Sequence, residues 1–73
     1  MRKMDEHKKN YLLTLLNKRV KISKPGNNGY LMFYHGRIKS IYENVIYFDD
    51  DKSGVLLFDD TGVSVLEIYD KEV

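Results

Sequence analysis

Two periodicities divide the chain. Over residues 5–18, Tyr11, Leu12, Leu15 and Leu16 recur at helical spacing and Leu13 widens the stripe, which predicts a short helix with one apolar face. Asp5 is placed to cap it. Asp5 and Glu6 near the start, with Lys18 and Arg19 at the end, match the signs of the helix dipole. A helix of about 14 residues is marginal alone, so the stripe must pack on something. Its other face, with His7, Lys8, Lys9 and Asn10, meets solvent or a partner.

From Val20 onward the period becomes two. Val20 and Ile22 alternate with Lys21 and Ser23, a half-buried strand, and Pro25-Gly26-Asn27-Asn28-Gly29 gathers turn-forming residues in one loop. Tyr30 to Ile41 reads as a long strand interrupted by Gly36, which marks a bend or a close backbone approach. Tyr42-Glu43-Asn44 is a turn and Val45 to Phe48 a strand. Asp49 to Gly54 is an acidic hairpin turn, Val55 to Phe58 a strand, Asp59 to Gly62 a turn, and Val63 to Tyr69 the last strand. One helix and five strands joined by short turns predict a mainly β fold, a small closed or nearly closed barrel over about 20–69. Residues 1–73 form a single domain without repeat or linker.

Composition narrows the function classes. With no cysteine, disulfides and thiolate zinc sites are excluded. A domain of 73 residues buries only about 60% of its unfolded surface, so oligomerisation is the expected support. No apolar run approaches the roughly 18 residues that span a bilayer, and the charged start MRKMDEHKKN is no signal peptide, so a cytoplasmic protein without a membrane partner is expected. The net charge of +1 hides two opposed halves: residues 1–24 sum to +6, residues 25–40 to +2 and residues 41–73 to −7. An anion-facing end and an acidic end are implied if the fold keeps them apart.

The motifs in the second half carry a resemblance. Gly36-Arg37-Ile38 followed by Ile41, and Gly62 followed by Val65 and Ile68, are similar to the bipartite motif of the Sm/LSm/Hfq family of small RNA-binding proteins. The resemblance spans Tyr11 to Ile68 and implies an N-terminal helix followed by a five-stranded, strongly bent Sm-like (SH3-like) barrel. It further implies that Tyr42, Asn44, Thr61 and Gly62 occupy the turns that hold a base of single-stranded RNA, Tyr42 by stacking and Asn44 by its amide. Lys8, Lys9 and Arg19 would meet phosphates from the helix face. The family's usual aspartate is replaced by Tyr42, and Asp60-Thr61 stands where an aliphatic residue and an arginine are usual.

The resemblance also implies assembly. In Sm-like proteins the fourth strand of one subunit pairs with the fifth of the next to close a ring. The candidates here are Val55, Leu56, Leu57 and Phe58 against Val63, Val65 and Leu66. The expected function is non-catalytic binding of single-stranded RNA by a homo-oligomeric ring. The alternative is a protein-interaction or assembly module without RNA, which the missing aspartate and arginine favour.

Other features read as structural. Phe33 and Phe48 are expected in the core or an interface, and His35 as an ordinary strand histidine. Asp49, Asp51, Ser53, Gly54 and Asp60 match positions of a calcium loop, but strand-like flanks make a solvated turn the expectation. No nucleophile arrangement, catalytic residue, metal site or cofactor motif is present in the sequence.

Overall fold

The computed structural model describes residues 4–69. Helix α1 (Glu6–Leu13) is followed by β1 (Arg19–Pro25), β2 (Leu31–Tyr42), β3 (Val45–Asp50), β4 (Gly54–Asp59) and β5 (Ser64–Tyr69). The strands form one antiparallel sheet in the order β4-β3-β2-β1-β5. The mainly β reading and the five strands therefore hold, but the sheet is open: β4 and β5 lie at opposite edges and do not pair.

The helix is shorter than the apolar stripe suggests. Asp5 caps its start, its side chain accepting from the Lys8 amide at 3.1 Å. After Leu13 the chain tightens, with Leu15 N–H donating to Leu12 C=O and Lys18 N–H to Leu15 C=O at 2.9 and 3.0 Å. Leu16 then forms a bridge with Ile38, and Asn17, at φ 66°, donates its N–H to Ile38 C=O. Tertiary capture by β2 thus ends the helix early. Lys18 and Arg19 lie beyond its last turn and do not complement its dipole. Leu12 and Leu15 are buried, whereas Tyr11 and Leu13 are exposed.

β2 organises the sheet because it serves two ladders. Its first part, Leu31 to Arg37, pairs with β1, and its second, Gly36 to Tyr42, pairs with β3. The overlap falls at Gly36, where a Cβ would stand 2.0 Å from Asp49 O, so only glycine lets β3 approach this closely. Register shifts leave Lys39 on β2 and Leu66 on β5 as extra residues, and such bulges sharpen the bend of a strand. The sheet curls far enough that Tyr34 of β2 meets Phe58 of β4 with ring centroids 5.0 Å apart. Phe48 and Phe58 pack at 5.9 Å.

Inside the curl sit Val20, Ile22, Ile38, Ile46, Phe48, Phe58 and Val63, closed at one side by Met4, Leu12 and Leu15. Alternation along β4 sends Phe58 inward and leaves Val55 and Leu57 outside, 55% and 60% exposed. Phe48 is buried as expected, but Phe33 is 53% exposed. β2 extends beyond the ladder with β3 there, so nothing in the sheet covers Phe33 on that side.

Candidate functional site

The β3–β4 ladder places two of the sequence-predicted turns together. Tyr42 pairs with Val45, and Val45 with Asp59, so the Tyr42-Glu43-Asn44 turn and the Asp59–Gly62 turn share one end of the sheet. Tyr42 is 66% exposed and Asn44 half-buried. Thr61 N–H donates to Asp59 Oδ1 at 2.9 Å, shaping the second turn. Gly62 takes φ 73°, and a Cβ there would stand 2.6 Å from the Pro25 ring. The motif glycines thus have separate physical reasons: Gly36 for approach, Gly62 for a left-handed turn against proline.

Lys8 joins this end, its Nζ donating to Asp60 C=O at 2.8 Å. Lys9 sits beside it on the first turns of α1, half-buried. Carboxylates are present too: Glu43, Asp59 and Asp60 belong to the same two turns. Arg19 does not join. It pairs with Arg37 in register, at the other end of the β2–β3 ladder from Tyr42, and its guanidinium forms an ion pair with Asp51.

The expected contact strands are divided by the curl. Val55, Leu57 and Leu66 are exposed, Leu56 and Val65 half-buried, and Phe58 and Val63 belong to the core. The last two therefore stabilise the fold from inside. The acidic residues of the calcium-like pattern do not converge. Asp50 Oδ2 accepts the Lys52 and Ser53 amides at 3.0 and 2.9 Å, Asp51 holds Arg19, and the length of β4 separates both from Asp60. Among the described residues, no group of three His, Asp or Glu is placed to hold a metal ion. No helix among them is long and apolar enough to cross a membrane.

A second group of side chains went unmarked in the sequence. On the outer face of β1, β2 and β5, Arg19 lies between Arg37 and Tyr69, and Lys21 between His35 and Glu67. Lys21 Nζ stands 5.5 Å from the Phe33 ring centroid, and the Arg19 guanidinium 5.6 Å from that of Tyr69. His35 stacks on Tyr69 at 6.2 Å with the rings 21° apart. A hydrogen bond with Glu67 is the main cause that pushes the Tyr69 hydroxyl above its ordinary value. Beside this strip Arg19, Phe33, Tyr34, His35 and Asp50 to Ser53 line a cleft of about 540 Å³. The period-two spacing of Phe33, His35 and Arg37 was a legible signal, and it gains meaning only once β5 is known to bring Tyr69 alongside.

No protein-family model, curated protein or solved structure matches this chain.

Proposed function

We propose that this protein is a non-catalytic, Sm-like RNA-binding protein that assembles into a homo-oligomeric ring and binds single-stranded RNA. One observation carries the reading: among the described residues, strand order leaves β4 and β5 at the two edges of a single curled sheet. Both edges bear exposed apolar side chains, Val55 and Leu57 on one and Leu66 and Ile68 on the other. Apolar edge strands invite pairing, and joining β4 of one copy to β5 of the next extends the sheet head to tail. Repetition around a closed assembly would multiply the turns that hold Tyr42, Asn44, Thr61 and Gly62, adding avidity to weak individual contacts.

A second reading, an assembly module that takes a protein partner and no RNA, is favoured by Glu43 and Asp59 in those same turns. Their charge opposes phosphate. Sedimentation velocity across a hundredfold concentration range, with fluorescence anisotropy on oligo(U) and oligo(A) at two salt concentrations, separates the readings. An oligomer that binds RNA at micromolar concentration is expected. A monomer at every concentration refutes assembly; an oligomer that binds neither RNA at low salt leaves the protein-interaction module.

A further inference from the structure

We propose that single-stranded RNA lies across the outer face of β1, β2 and β5, with bases on Phe33 and on the His35–Tyr69 stack and phosphates at Lys21 and Arg37. This rests on the RNA-binding reading above and names a different surface from the turns. Three observations converge on it.

Charge comes first. Between Glu6 and Glu43 the chain contains no carboxylate at all, while β1 and β2 carry Arg19, Lys21, Lys24, Arg37 and Lys39. The acidic groups near the strip come from other elements: Glu67 beside Lys21, Asp49 opposite Arg37, and Asp51. Asp51 is held by Arg19, and Asp50 by two turn amides. Lys24 belongs to the opposite face, 5.8 Å from the Phe58 ring, and is no part of the strip.

The second observation is the alternation of rings and cations. Phe33 and His35 are two residues apart on one strand face, about 6.8 Å of strand rise. Lys21 reaches over Phe33 and Arg19 over Tyr69. A ring exposed on a sheet face takes a base by stacking when the cation over it moves to the neighbouring phosphate. The third is the cleft of about 540 Å³ at the rim of the strip, which has room for one base; Phe33, His35, Arg19 and Lys52 line it together with Asp50 and Asp51, the two carboxylates already held by turn amides and by Arg19. An anionic membrane would use the same cations and could bury an exposed ring, but it would leave the cleft unfilled.

The test is anisotropy of a fluorescein-labelled oligo(U) 12-mer on the full chain at 50 and 200 mM salt. Circular dichroism confirms that each variant is folded; Phe33 is outside the core. Phe33→Ala is expected to weaken binding at least about fivefold, the lower value of one base stack. Replacing Lys21 and Arg37 together by alanine is expected to lower the slope of log affinity on log salt by about 1.4, two single-strand phosphates. If Phe33→Ala binds as the wild type does while Tyr42→Ala loses affinity, this surface is overturned and RNA binding at the turns stands. If the wild type binds no RNA, both fall. Binding to phosphatidylserine vesicles without binding to oligo(U) overturns the assignment in favour of a lipid surface.

Discussion

Replacing Gly36 by alanine tests the bend of β2 directly. The added Cβ would stand 2.0 Å from Asp49 O, 2.9 Å from Asp49 C and 3.0 Å from the Asp50 Cα, all backbone atoms of β3. No side-chain rotation relieves such a clash, so β3 must retreat from β2. Overpacking of this kind costs about 1–3 kcal/mol. Retreat also loosens the ladder at Gly36↔Asp50 and Arg37↔Asp49, at about 1 kcal/mol for each hydrogen bond lost. Against this, alanine lowers the entropy of the unfolded chain, worth about 0.4–1 kcal/mol. The net loss is about 2–4 kcal/mol, a large part of the roughly 4–11 kcal/mol expected for a domain of this size. Urea unfolding followed by circular dichroism, at one fixed protein concentration, reads it out. With a slope near 1 kcal/mol per molar urea, the midpoint falls by about 2 M or more. Ser40→Ala, at an exposed position on the same strand, is the comparison and stays within about 0.5 kcal/mol. A Gly36→Ala midpoint within about 0.5 M of that comparison would refute the close-approach argument.

Two further outcomes follow from the same geometry. Asp50→Ala removes the acceptor of the Lys52 and Ser53 amides and is expected to cost about 2–3 kcal/mol in the same unfolding assay, with Asp50→Asn losing less because one carbonyl oxygen remains. The Tyr69 hydroxyl, raised above 10.0 chiefly by Glu67, favours the folded state at pH below the unfolded phenol's value, and that contribution disappears as pH rises through the folded one. Its phenolate absorbance, taken as the difference between wild type and Tyr69→Phe, should appear above pH 10 and move down in Glu67→Ala; ionisation at or below 10 in the folded protein contradicts the assignment.

Much of the element order was legible because local chemistry and the final structure agree. The turns at 26–30, 43–44, 51–53 and 60–63 all follow glycine, asparagine or aspartate clusters, and period-two alternation marks the strands between them. The end of α1 was not legible. Leu15 and Leu16 continue the helical stripe in sequence, yet Ile38, far along the chain, captures the backbone after Leu13. The candidate site was legible in part. Register brings Tyr42, Asn44, Thr61 and Gly62 to one end, but it sends Arg19 elsewhere, because β1 pairs with the first half of β2 rather than the second.

By itself, then, the sequence determined a cysteine-free chain with one short helix, five strands and glycines at the bend and the last turn. Those features follow from side-chain period, turn chemistry and composition, which act over a few residues. Tertiary structure alone decided that the sheet curls without closing, that Phe58 turns inward while Phe33 stays outside, and that Tyr69 completes a strip with residues of β1 and β2. These outcomes depend on strand order and register, and a single bulged residue changes which side chains share a face.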